Sequence, residues 1–166
     1  GGQMGSGIAE IAAKNGFEVV NVDTFSQGLV NARNRIEKDM RYLVGREKLT
    51  PQQAEELQAC VSYSGQYESL ADCDVVVEAV PEKLALKQEV FAKLDEVVGP
   101  QAILLSNTSA LSISEIARST ARPGRVAGMH FFHPAPVMKL VEIVRGEKPE
   151  DSTVEQATAF ANRLGK

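Results

Sequence analysis

Apolar positions along the chain alternate between helical and strand spacing. Met4, Ile8, Ile11 and Ala12 recur at helical spacing and Asn15-Gly16 supplies a left-handed stop, which predicts a helix over 4–15. FEVVNVD at 17–23 reads as a strand. From Ser26, Leu29, Ile36, Met40 and Leu43 return to near-helical spacing while Arg33, Arg35, Lys38 and Asp39 take the wet face. Thr50-Pro51 is a cap followed by a first-turn proline and opens another helix to about Ala59. Two successive helices are thus expected after that strand.

DVVVEAV at 74–80 is a nearly unbroken apolar run of strand length, the pattern of a parallel strand buried on both faces, and it is expected at the sheet's centre. Leu84 to Val98 reads as a helix closed by Gly99-Pro100, Ala102 to Leu105 as a short strand, and Ser112 or Ser114 as the cap of a helix through Ala117. Arg125 to Phe132 and Leu140 to Val144 are further strands, and Asp151 to Leu164 is a helix capped by Asp151 or Ser152. Strands alternating with helices imply an α/β fold with a doubly wound parallel sheet. No internal repeat, low-complexity tract or linker divides the chain.

Composition narrows the function classes. With 166 residues, 43% hydrophobic and 24% charged, the chain can bury a sizeable core. A net charge of -4 offers no basic surface for nucleic acid or anionic lipid. No apolar run approaches the ~20 residues of a membrane span, so no membrane partner is expected. Cys60 and Cys73 form no CxxC pair and the two histidines are too few for a metal site, which points to a reduced, intracellular protein without a metal. The start at Gly1-Gly2 is neither a signal peptide nor an initiation site, and the end at Leu164-Gly165-Lys166 follows a helical pattern with no closing strand. A fragment of a longer protein is the expectation.

Gly2-Gln3-Met4-Gly5 is the rear of a GxGxxG turn, with Gly1 in the variable slot; the first glycine and its leading strand are absent from this sequence. Gly2 would let the backbone approach a pyrophosphate, Gly5 would let the helix pack closely on the sheet, and the helix N-terminus would offer amides to the phosphates. Asp23 ends the next strand, where a carboxylate accepts hydrogen bonds from ribose hydroxyls. The same charge repels a 2′-phosphate, and Thr24-Phe25-Ser26 holds no arginine to receive one, so the cofactor is expected to be NAD. The fold class is therefore Rossmann-type, with an inserted helix pair after its second strand.

Four stretches together, GGQMGSGIAE at 1–10, VVVEAVPEKLALKQEVF at 75–91, LSNTSALSISEIA at 105–117 and GMHFFHPAPVMKLVEIV at 128–144, resemble the NAD domain of the L-3-hydroxyacyl-CoA dehydrogenase family. The resemblance covers the whole chain. It implies that residues 1–166 are an NAD-binding domain truncated at both ends, and that a helical C-terminal domain for substrate binding and homo-oligomerisation lies outside it. It also implies that His130 is the general base that takes the C3 hydroxyl proton as hydride leaves for the nicotinamide, with Glu142 orienting the imidazole and stabilising the imidazolium. An imidazole, with its ordinary pKa of about 6.5, suits that exchange near neutrality. By the same resemblance Ser109 binds substrate near the reacting oxygen, Asn107 lies near the nicotinamide ribose, and Glu82 and Lys87 border the cofactor. The substrate implied is an acyl-CoA, with short hydroxybutyryl-type chains favoured, and the compartment the cytoplasm, or the mitochondrial matrix in a eukaryote.

One residue departs from the family pattern: asparagine is usual where this sequence has His133, in HFFHP. In an extended segment His130 and His133 would face opposite ways, leaving His133 as a titratable substrate-side residue. A His-x-x-His metal site has no acidic or cysteine partner in register. Two other readings stay open: a dehydrogenase of free hydroxy acids in which a lysine does the acid/base work, and a nucleotide-binding descendant that no longer turns over.

Overall fold

A computed structural model describes residues 1–166. The chain forms two compact units, residues 1–66 with 134–137, and residues 67–133 with 138–166. No helix is long and apolar enough to cross a membrane.

In the first unit, α1 (Gln3–Lys14) leads to β1 (Val19–Val22), then α2 (Ser26–Gly45), α3 (Pro51–Ala59) and β2 (Val61–Ser64). Gly16, at φ +79°, ends α1: its N–H reaches the Ala13 carbonyl at 3.0 Å and the Phe17 N–H reaches Ala12 at 3.1 Å. Thr50 caps α3 reciprocally, its hydroxyl accepting the Gln53 N–H at 3.1 Å while the Gln53 amide oxygen accepts the Thr50 N–H at 2.9 Å. The expected helix pair is present and serves as the crossover that lets β1 and β2 run parallel, Val19 beside Val61 and Val22 beside Ser64. Ala9, Ala13, Ile36, Met40, Ala54 and Val61 form the core of this unit. β2 was not anticipated: four residues, VSYS, are too few and too polar to display a strand period.

The second unit holds β3 (Val75–Glu78), α4 (Leu84–Val97), β4 (Ile103–Ser106), α5 (Ile113–Ala117), β5 (Val126–Phe131), β6 (Val141–Val144) and α6 (Asp151–Arg163), with 3-10 turns at Tyr67–Leu70 and Pro123–Arg125. Its sheet runs β3-β4-β5-β6. β3, β4 and β5 are parallel and β6 is antiparallel to β5. The reversal has a simple cause: residues 132–140 are too short to carry a parallel crossover. The expectation that β3 lies at the centre is corrected as well. β3 ends this sheet and its valines alternate in burial, whereas every residue of β4, with a parallel neighbour on each side, is buried.

Ser112 caps α5 through the Glu115 N–H at 3.4 Å. Neither Asp151 nor Ser152 caps α6. The N-cap residue is Glu150, without a side-chain cap, because Asp151 is already helical and pairs with Arg145 at 2.8 Å, and the Ser152 hydroxyl donates to Glu150 at 3.2 Å.

Candidate active site

His130 stands near the C-terminal end of β5, and the antiparallel register sets Glu142 of β6 directly opposite it. Directly paired residues share a face of the sheet with their Cβ atoms about 5 Å apart. The imidazole Nδ1 accordingly lies 2.9 Å from Glu142 Oε2, and Nε2 lies 3.2 Å from Ser109 Oγ. A carboxylate can only accept, so Nδ1 carries a ring hydrogen; in the neutral ring Nε2 then presents its lone pair, to which the Ser109 hydroxyl can donate. The Phe132 ring packs on the imidazole, centroids 4.6 Å apart and planes tilted by 47°. Gly128, opposite Val144, sets how closely β6 can approach: a Cβ there would fall 2.8 Å from Val144 Cβ and 2.9 Å from Ile113 Cδ1.

The segment that presents Ser109 is organised by Glu82. Its Oε1 accepts the Thr108 hydroxyl and the amides of Ser109, at 3.0 Å, and Ala110, at 3.2 Å. Partial burial pushes the Glu82 carboxyl upward, but the Thr108 hydroxyl, the two amides and the Lys87 charge together outweigh it and hold the group below its ordinary range. Asn107 turns its side-chain oxygen onto the Phe131 N–H at 2.8 Å and so ties the start of this segment to the end of β5. Lys87 is not a solvated lysine on a helix face. It is buried, its ammonium 2.7 Å from Glu78 Oε1, 3.2 Å from the Val80 carbonyl and 3.4 Å from Glu82 Oε2.

The residues read as the nucleotide turn lie in the first unit. Gly2 precedes α1 in extended conformation with no side-chain cap, and no acidic residue occupies the first turn, which leaves the positive end of the helix to an anion. A Cβ on Gly2 would meet nothing within 4 Å. Gln3, Met4 and Gly5 form the first turn of α1. Asp23 follows β1; its Oδ1 accepts the Phe25 N–H at 2.9 Å. Glycines surround this carboxylate, since a Cβ at Gly28 would fall 2.2 Å from Oδ2 and one at Gly1 would fall 2.7 Å from it. Open glycine backbone, an uncapped helix start and a nearby carboxylate fit the pyrophosphate and ribose of a dinucleotide.

β5 ends at Phe131, and His133 sits exposed in a bend before Pro134, so the alternation of an extended strand does not extend to it. No group of three or more His, Cys, Asp or Glu side chains is arranged to hold a metal ion. Sequence reasoning missed Glu78 and Phe132, and it gives Ser106 and Thr108 only turn roles, where the structure ties them to Glu78 and Glu82. For Glu78 a signal existed: an acidic residue inside an apolar strand run must find a buried partner.

A family model described as 3-hydroxyacyl-CoA dehydrogenase, NAD binding domain, matches residues 1–166. A probable 3-hydroxybutyryl-CoA dehydrogenase of Deinococcus radiodurans is 40% identical over 165 residues, which are 99% of this chain and 59% of that protein. The 3-hydroxyadipyl-CoA dehydrogenase of Escherichia coli K12 is 42% identical over 99% of this chain and 35% of its own length. The crystal structure of an (S)-3-hydroxybutyryl-CoA dehydrogenase from Ralstonia eutropha superposes with a TM-score of 0.96 at 38% identity, covering 99% of this chain and 58% of that one.

Proposed function

Because the chain belongs to the family of 3-hydroxyacyl-CoA dehydrogenase NAD-binding domains, we propose that the protein containing it interconverts a (3S)-3-hydroxyacyl-CoA and the 3-ketoacyl-CoA. The observation that carries this reading is the unbroken line from Ser109 Oγ through the His130 imidazole to Glu142, at 3.2 Å and 2.9 Å. NAD, when bound, supplies the hydride acceptor. His130 Nε2, its lone pair free of a hydrogen, removes the proton from the C3 hydroxyl, and Glu142 balances the charge that then develops on the ring. The Ser109 hydroxyl, which donates to Nε2 here, turns to the substrate oxygen and holds it within reach of the base.

Gly2, Gln3, Met4 and Gly5 bind the pyrophosphate and Asp23 the adenosine ribose. Asn107, Glu82 and Lys87 act on the cofactor through the segment they order, and His133 takes part in substrate selection. The acyl pocket and homo-oligomer contacts belong to a helical domain outside the chain, and the compartment is the cytoplasm or, in a eukaryote, the mitochondrial matrix. The free-acid reading, which needs a lysine for acid/base work, is disfavoured because Lys87 is bound up with Glu78. Purified full-length protein tests the proposal directly: it is expected to reduce NAD with 3-hydroxybutyryl-CoA and not with free 3-hydroxybutyrate. Turnover of the free acid alone overturns the substrate assignment.

A further inference from the structure

Behind Ser109 lies Glu78, a carboxylate at the C-terminal end of β3 to which the hydride-transfer reading gives no role. Its side chain and that of Lys87 are each 1% exposed. Glu78 Oε1 accepts the Lys87 ammonium at 2.7 Å and the Val80 N–H at 2.6 Å, and Oε2 accepts the Ser106 hydroxyl at 2.7 Å. Two routes run from this carboxylate to the segment that presents Ser109. One passes through Ser106, whose oxygen accepts the Thr108 N–H at 3.3 Å. The other passes through Lys87 to Glu82 at 3.4 Å, and from Glu82 to Thr108 and the amides of Ser109 and Ala110. The Asn107 N–H, between the two, donates to the Glu78 backbone carbonyl at 2.8 Å.

A buried ion pair is a poor guide to stability, since an apolar pair of equal volume is often as stable or more so, whereas removing one partner alone leaves an uncompensated charge. Stability therefore does not explain this pair. An apolar replacement could fill the volume but could neither hold Glu82 nor receive Ser106. We propose that Glu78 is a positioning residue: it fixes the Lys87 ammonium against Glu82 and the Ser106 hydroxyl against the Thr108 amide, and so aims Ser109 at His130 Nε2. The proposal rests on the hydroxyacyl-CoA reading only in taking that aim to be catalytic.

The test compares Glu78→Gln with the double variant Glu78→Gln/Lys87→Met in the full-length polypeptide. The single variant strands an ammonium and is expected to lower Tm. The double variant removes both charges and recovers most of that loss. It remains impaired, with kcat down at least about tenfold and a smaller change in the KM for acyl-CoA, as misplacing a substrate-positioning group requires. In the ligand-free protein the imidazole nitrogen signals, assigned to His130 by their disappearance in a His130→Gln control, are expected to lose the signature of a hydrogen bond at Nε2, as they do in Ser109→Ala. If the single variant does not fold, the double variant alone decides. Parental kcat together with an unchanged His130 spectrum in a folded variant overturns the proposal, as does recovery of both along with Tm. Should the parent prove inactive on the thioester while its His130 spectrum still responds to Glu78→Gln, the substrate reading fails and the positioning role stands.

Discussion

Replacing Glu142 with glutamine removes the negative charge beside His130 while keeping a carbonyl oxygen that can still accept from Nδ1. The substitution therefore isolates the electrostatic share of what Glu142 does. With Nδ1 and Oε2 2.9 Å apart, the centres of the imidazolium and carboxylate charges lie roughly 4 Å apart, where their attraction is about 1 kcal/mol in water and about 4 kcal/mol at an effective dielectric near 20. The side chain of Glu142 is 53% exposed and that of His130 16%, so solvent screens one side of the pair. An intermediate value of about 2 kcal/mol, felt only once the ring is protonated, lowers kcat/KM about 30-fold. Glu142→Ala also removes the acceptor that fixes the ring tautomer and is expected to cost about a further tenfold. Initial rates of NADH formation with full-length protein and a 3-hydroxyacyl-CoA measure both, and calorimetric NAD affinity should stay within about twofold of the parent. A Glu142→Gln enzyme with kcat/KM within about threefold of the parent refutes the claim that the carboxylate stabilises the imidazolium.

Gly128→Ala drives a methyl group into Val144 and Ile113, an overpacking expected to cost about 1–3 kcal/mol and read as a lowered Tm in thermal unfolding. Asp23→Ala removes the ribose acceptor, so NAD should bind about tenfold more weakly by calorimetry while the preference over NADP narrows; unchanged discrimination would disprove the role given to that carboxylate. Glu10, 3% exposed, has its carboxyl raised by burial and by Asp39 against the opposing pull of Lys14. Its folded form favours the proton, so its penalty is absent below the ordinary value of 4.5, grows as pH rises through the raised value and is complete above it. Glu10→Gln should therefore be more stable than the parent at neutral pH and lose that advantage in acid, as urea unfolding across the range will show; a gain that is the same at every pH contradicts the assignment.

What the sequence disclosed of the fold was local. The stop at Asn15-Gly16 and the cap at Thr50-Pro51 depend on residues a turn apart, and both were readable without knowing the rest of the chain. Neighbour relations were not. An apolar run such as DVVVEAV reports that both faces of a strand are covered, not which strands flank it, and in the four-stranded sheet β3 is an end strand while β4 and β5 are the inner ones. β2 left no signal because VSYS spans four residues, two of them serine. The caps expected at Asp151 and Ser152 failed because each polar side chain had a competing partner that local pattern cannot reveal.

The candidate site divides along the same line. Glu78 could have been suspected, because a charge in an apolar strand must be answered, and Lys87, in the first turns of the next helix, was within reach to answer it. His130 and Glu142 were linked only by resemblance, and nothing in their separation stated that they meet. Their meeting depends on the direction of β6. The short 132–140 connection forbids a crossover, so the chain returns antiparallel and sets Glu142 opposite His130. In such a pair a one-residue slip turns every side chain to the other face. The slip would present Val141 or Ile143 to the imidazole and carry the carboxylate to the opposite side of the sheet. The length of that connection, more than its composition, is therefore what gives the base its partner, and a residue inserted between 138 and 140, outside the 134–137 stretch that belongs to the first unit, should abolish NADH formation while calorimetry still finds NAD bound at the glycine turn and Asp23.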